Sequence, residues 1–187
     1  IGIIQLVEHQ ALDAATEGFQ KALKEKLGDK VEFDVQNAQG EETNCATIAT
    51  KFVNSNVDLI MANATQAVIS SATATSDIPI VGTSVTDYVT TGTVKSNDAP
   101  GGNVTGTSDL APIDQQVELL QKLVPDAKNV GILYCSAEAN SVYQAEQAQK
   151  YLEKAGITAK TYTAADSNDI QQVVTKAADE NDAIYIP

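Results

Sequence analysis

The sequence is poor in the groups that most often carry chemistry. It has one histidine, His9, two cysteines, Cys45 and Cys135, and 12 basic residues against 25 acids, for a formal net charge of −13. The shortage of base excludes a nucleic-acid role, because a phosphate backbone requires a clustered basic face and none is present. With His9 alone, a Ser–His–acid site would have to recruit that one imidazole. The stretch Gly82-Thr-Ser84-Val-Thr86 resembles a nucleophile elbow but lacks its second glycine. No histidines and cysteines fall at metal-ligand spacing. No catalytic residue, metal or cofactor is therefore expected. The cysteines lie in different halves of the chain and read as two small buried thiols rather than a disulfide. No apolar run approaches the ~20 residues of a membrane span. No signal peptide leads the chain. It begins at Ile1 inside an apolar run, which suggests a trimmed or mature protein.

Hydrophobic residues make up 43% of the 187, enough to bury a core in one sizeable domain or two small lobes. The pattern alternates strand and helix throughout. Ile1 to Leu6 is a short apolar run suited to a strand buried on both faces. Leu12, Ala15, Phe19, Ala22 and Leu23 recur at helical spacing, and Gly28 marks the stop. Val31, Phe33 and Val35 alternate as a strand with one polar face. Cys45, Ile48, Ala49, Phe52 and Val53 make one face of a helix. Strands follow at 57–62 and 78–82, with an alanine-rich helix at 65–75 between them. After residue 111 the pattern restarts: a helix at 113–124, a buried strand at 130–135, a helix at about 140–155, a strand at 157–163, a helix from Ile170 and a strand at 182–186. Such alternation implies parallel pairing with crossover helices.

The restart reads as a repeat. "IGIIQ" at residue 1 resembles "VGILY" at 130, and "NVDLIMA" near 57 resembles "NDAIYIP" near 181. Two lobes of one α/β type are expected, 1–108 and 109–187, joined through about 99–110. That junction holds "PGGNVTGTSDL", from Pro100 to Leu110. Its glycines approach a phosphate-binding P-loop, but Thr107 stands where the lysine belongs, and the glycines precede a strand-like run rather than opening a helix. Gly101-Gly102 reads as a tight turn feeding a strand that crosses between lobes. Asn103-Val104-Thr105 also matches a glycosylation sequon.

In open parallel sheets, ligands bind beyond the carboxyl ends of the strands. The loops there are rich in hydroxyls, amides and carboxylates and nearly free of Lys and Arg. Thr65, Ser84 and Asn140-Ser141 fall near expected helix starts, where free N–H groups and the helix dipole favour a carboxylate. Asp87 and Asp109 could hold an ammonium, so the inventory suits a zwitterion better than a phosphate. The plainer readings are that Thr65, Ser84 and Asn140 are N-caps, that Asp87 caps the segment after it, and that His9 is a surface residue.

The stretches "IGIIQLVEHQALDAATEGF", "NAQGEETN", "VDLIMANAT", "IPIVGTSVTDYV", "PGGNVTGTSDL", "VGILYCSAEANS" and "DAIYIP" resemble the ABC-transporter substrate-binding family that includes tryptophan- and tyrosine-binding proteins. The resemblance implies two flavodoxin-like lobes with parallel sheets, of the type I periplasmic-binding-protein kind, that close over a solute. An aromatic amino acid (Trp, Tyr or Phe) is the implied ligand, and an ABC permease the implied partner. The implied location is extracytoplasmic, secreted or held by a lipid anchor absent from this chain. On that pattern the ligand residues are Glu8, His9, Thr65, Ser84, Thr86, Asp87, Asp109 and Asn140. The competing expectations are the ligand-sensing domain of a regulator, or a binder of a nucleoside or sugar. Family members run well beyond this length, so the second lobe is expected to be incomplete, with strand 182–186 left as an apolar edge that recruits another chain.

Overall fold

A computed structural model describes residues 1–164 and 168–187. The chain divides into two compact units, Ile1–Leu110 and Ala111–Pro187. The first holds β1 (Gly2–Gln5), α1 (Gln10–Leu27), β2 (Asp34–Asn37), α2 (Glu42–Asn54), β3 (Ile60–Asn63), α3 (Thr65–Ala74), β4 (Ile80–Val85) and β5 (Val104–Ser108). Its five strands lie in the order β2-β1-β3-β4-β5 and all pair in parallel. The central strands β1 and β3 are buried along their whole length, as continuous apolar runs in a doubly covered parallel sheet should be. Phe52 and Cys45 of α2, Val68 of α3 and Ile4, Ile60 and Ile80 of the sheet form one core cluster.

The second unit holds α4 (Ile113–Leu123), β6 (Asn129–Cys135), α5 (Ala139–Lys154), β7 (Thr158–Ala164), α6 (Ile170–Glu180) and β8 (Ala183–Tyr185). Its sheet runs β7-β6-β8, again parallel. That order is the β2-β1-β3 of the first unit, so the expected repeat is present at the level of topology. Counterparts of β4 and β5 are missing among the described residues, which matches an incomplete second lobe. One face of β6 packs with α4 and α5 through Val117, Val130, Ile132, Ala148 and Leu152. Leu133, Tyr162 and Ala177 form a separate small cluster under α6.

Several expectations are corrected. β2 starts at Asp34, and Val35 is exposed while Asp34 and Gln36 are half-buried. The strand is a sheet edge that pairs only β1, and the bond from Asp34 N–H to the Ile1 carbonyl sets its start, so the alternation counts from the opposite face. Phe33, just before it, packs edge-on against Phe19 at 6.5 Å. The strand expected at about 104–108 is present and pairs with β4 at the edge of the first sheet. Cys45 is fully buried, but Cys135, the last residue of β6, is only half-buried, and the two do not form a disulfide with each other. The Asn103 side chain donates to the carbonyls of Thr75 and Ile78 at 3.0 and 2.8 Å, so the sequon asparagine is a structural brace.

Candidate functional site

The carboxyl ends of β1, β3, β4 and β5 gather most of the expected residues in the first unit. At β1, Glu8 and His9 are exposed. His9 caps α1, its Nδ1 accepting from the Ala11 N–H at 3.2 Å, so the plain surface reading holds for its ring in this state. Beneath them lies a polar network that the sequence did not announce. Gln5 donates to the Val7 carbonyl at 3.0 Å and to Asp13 Oδ1 at 2.6 Å, and accepts from Thr16 Oγ1 at 2.7 Å. Asn63, fully buried at the end of β3, donates to the Leu12 carbonyl at 2.7 Å and to Thr16 Oγ1 at 3.0 Å. This network ties α1 to the two central strands. Asn63 Oδ1 has no partner among the described residues.

Next along the sheet, the chain leaves β3 through Ala64 at φ 90° and enters α3 at Thr65. Thr65 is therefore the first helical residue rather than the N-cap, and it is buried. The Ala64 N–H donates to the Thr83 carbonyl at 3.0 Å, tying the start of α3 to β4.

At β4 the structure departs most from expectation. Ser84 does not open a helix. It lies inside β4 at φ 55°, where the register against β5 shifts between Gly82 and Val85. Two residues of β4, Thr83 and Ser84, thus face one residue of β5, Thr107, which is a β-bulge; such bulges re-aim side chains beside functional sites. Left-handed backbone at a non-glycine residue is uncommon and clusters at such sites. Ala64 and Ser84 are both of this kind, on neighbouring strands.

Beyond the bulge, Thr86 is buried and its carbonyl accepts from Ser108 Oγ at 2.7 Å. Asp87 takes the capping role anticipated for it: Oδ1 accepts from the Thr90 N–H at 2.7 Å and from Thr90 Oγ1 at 2.5 Å. The Asp109 N–H donates to the Val85 carbonyl at 3.0 Å, and its side chain is exposed. Ser84, Thr86, Asp87, Ser108 and Asp109 thus share one corner. Tyr88 lies behind it, buried, its phenol pushed up to about 12 by burial and then by the Asp109 charge. Asn140 stands in the second unit, in the first turn of α5, where Glu138 holds the N-cap position. Glu138 accepts from Ser141 Oγ at 2.9 Å.

Among the described residues no group of histidines, cysteines and acids could hold a metal, and no helix is long and apolar enough to cross a membrane. The corner is built of hydroxyls, amides and carboxylates around a strained backbone, which suits capture of a small polar molecule.

The family described as ABC transporter substrate binding protein matches residues 1–187. The chain belongs to that family. As a member of this substrate-binding family, it is grouped with transport proteins rather than enzymes. It is 42% identical over 190 residues to the tyrosine-binding protein of Clostridioides difficile (strain R20291), covering 100% of this chain and 55% of that protein. A Streptococcus pneumoniae ABC domain solved in complex with L-Trp is 40% identical at a TM-score of 0.93, covering 100% of this chain and 64% of that one. A conserved domain protein of Vibrio cholerae O1 biovar eltor is likewise 40% identical, with a TM-score of 0.92 over 98% of this chain and 63% of the other. The chain thus spans 55–64% of the length of these relatives, less than two-thirds of each. Their type I periplasmic-binding-protein fold is the one the family resemblance implies, and the alternating pattern points to its parallel α/β class.

Proposed function

We propose that this chain is the larger part of an extracytoplasmic solute-binding protein that captures an aromatic amino acid between two lobes and delivers it to an ABC permease. The observation that carries the reading is the corner of Ser84, Thr86, Asp87 and Asp109, polar, acidic and formed without a Lys or Arg side chain. It offers carboxylates to an ammonium and neutral donors to a carboxylate. The start of α3 at Thr65 adds free N–H groups of the kind that hold an anion. The whole-chain similarity to proteins named for tyrosine and solved with tryptophan supports an aromatic side chain on the ligand. Glu8, His9 and Asn140 complete the proposed contacts.

Calorimetric titration of the intact protein with L-Trp, L-Tyr and L-Phe, alongside a sugar and a nucleoside, tests this. Saturable binding of at least one aromatic amino acid is expected. Asp109→Ala should weaken it by about 2–5 kcal/mol, the loss typical when one partner of a buried charge pair is removed. Tight binding of the sugar or nucleoside with no response to the amino acids would overturn the assignment. Unchanged affinity in a folded Asp109→Ala protein would return that residue to a turn role.

A further inference from the structure

Tyr88 is absent from the set of candidate ligand residues, yet its environment is built around it. A Cβ on Gly82 would lie 2.5 Å from the phenol oxygen, and one on Gly106 2.2 Å from it. These glycines face each other across β4 and β5, as paired residues. Side chains at either place would close the slot that the phenol occupies. At the other end, the Tyr88 carbonyl accepts from Thr91 Oγ1 at 2.7 Å and Thr93 Oγ1 at 3.2 Å. The hydroxyl itself donates to the Thr107 carbonyl at 3.0 Å. Thr107 is the one residue of β5 that faces the two bulged residues of β4. The bond therefore falls where the ladder between the strands is interrupted. β5 is also the sheet edge, with no strand on its outer side among the described residues.

We propose that the Tyr88 hydroxyl is a positioning group for the ligand corner: through the slot of Gly82 and Gly106 it pins Thr107 opposite the bulge and so fixes Ser84, Thr86 and Asp87 against Ser108 and Asp109. The inference rests on the ligand role proposed for that corner. A phenylalanine keeps the ring and its apolar packing and gives up only the oxygen at the end of the slot. What the oxygen adds is one bond to an edge-strand carbonyl beside the proposed ligand contacts. Tyr88 acts through those residues and is not itself a contact.

The test is Tyr88→Phe in the intact protein, with Ile48→Val, which trims a partly buried residue of α2 packed against the core, as a control of comparable stability cost. Amide hydrogen exchange and titration with L-Trp and L-Tyr are read together. A lost hydrogen bond is worth about fivefold in an equilibrium. Tyr88→Phe is expected to speed exchange at the Asp109 amide about fivefold and to weaken ligand affinity by a similar factor. Exchange in β1 and β3 should stay as in the parent, and Ile48→Val should change neither reading. Unaltered Asp109 exchange, unaltered affinity, or the same changes in Ile48→Val would overturn the proposal. If the parent protein binds no amino acid while Tyr88→Phe still speeds exchange at Asp109 alone, the pin is supported and the proposed function is what fails.

Discussion

Gly2 in β1 and Gly131 in β6 occupy the same place in two sheets of the same strand order, yet they are glycines for different reasons. A Cβ on Gly2 would sit 2.5 Å from the ring of Phe52, the largest fully buried side chain of the protein. A Cβ on Gly131 would meet Asn181 Nδ2 at 3.0 Å and the Tyr162 ring at 3.1 Å. Those two belong to a partly exposed polar set: Tyr162 donates to Glu180 at 2.7 Å, and Asn181 donates to Tyr162 and to the Ala177 carbonyl at 2.8 Å each. The first unit closes on an aromatic core. The second closes the same position with hydrogen bonds, and its apolar packing is split between two clusters. One topology is thus held by two balances of forces, and the difference follows from what flanks the central strand. In the first sheet β3 is covered on its far side by β4. In the second, β8 is an edge of three residues.

The sharpest way to break this contrast is Gly2→Ala against Gly131→Ala. Forcing a methyl into a packed core costs about 1–3 kcal/mol, and Phe52 can yield only by disturbing the cluster around it. Gly131→Ala is expected to cost less than half of that, because Asn181 can swing toward solvent. Urea denaturation followed by segment-resolved hydrogen exchange reads both. Equal losses would mean that the two positions are equally constrained and that the contrast is false.

The open edge of the second sheet supplies the next test. Next to that edge, at the carboxyl end of β6 and against α6, lies an apolar groove of about 440 Å³ lined by Leu133, Tyr134, Ile170, Val174 and, just after β8, Ile186 among others. Ile186 is 68% exposed. An unpaired apolar edge tends to recruit another strand. The 187-residue chain is expected to self-associate and to show weaker amide protection over 130–187 than over β1, β3 and β4. Ile186→Lys should shift it toward monomer in light scattering. A parent chain that is monomeric, with strong protection across 130–187, sinks this expectation.

The smallest effect is a split in pH sensitivity. Burial, with the Glu42 charge adding to it, pushes the Cys45 thiol up to about 11, and Tyr88 stands at about 12. Both fold best neutral, so their contribution is full below their ordinary values, about 9 and 10, and is lost as the pH climbs toward 11 and 12. The second unit has Tyr185, also raised by burial. It relies more on carboxylates held low: Asp182, which accepts from the Asn129 and Lys128 N–H groups, and Glu180, which is bonded to Lys160 and Tyr162. Lowered carboxylates contribute above their ordinary range and fade as the pH falls below about 4. The first unit has one of this kind, Asp34, held low by Lys51 and Gln36. Glu180 and Asp182 are exposed and Asp34 is partly so, which keeps the acid effect small. Unfolding midpoints tracked separately for the two units should fall first in the first unit above pH 10, and first in the second below pH 4. Coincident titration in both limbs would erase the distinction.

Much of this architecture could be read before any coordinates. The apolar runs of β1 and β3, the stripe from Cys45 to Val53 and the restart after residue 111 all rest on local periodicity, and periodicity survives in a single sequence. The candidate corner was half legible. Residue types at strand ends pointed to Ser84, Thr86, Asp87 and Asp109, and Asp87 even as a cap. The bulge was not legible, because a register shift depends on the partner strand, and Thr107 lies 24 residues from Thr83. For the same reason the sequence shows no role for Gly106 once a phosphate loop is rejected, when in fact it leaves room for a phenol. Asn63 stood among loop residues, with nothing local to show that it reaches α1 across 51 positions. Val35 misled because alternation gives the period of a strand but not which face meets the core at an edge.

The strand order of the first sheet also has a meaning in time. All five of its strands lie within the first 108 residues, and each strand after β1 pairs with one already made. During synthesis from the amino terminus, the whole described ladder of that sheet can close before α4 leaves the ribosome. The second sheet closes later in the chain: its central strand β6 must wait for β8 across a gap of 53 residues, much as Gly2 of β1 waits for Ile60 of β3. A growing chain would therefore carry a finished first unit while β6 still waits with one edge bare, and that interval is when a chaperone has most to hold.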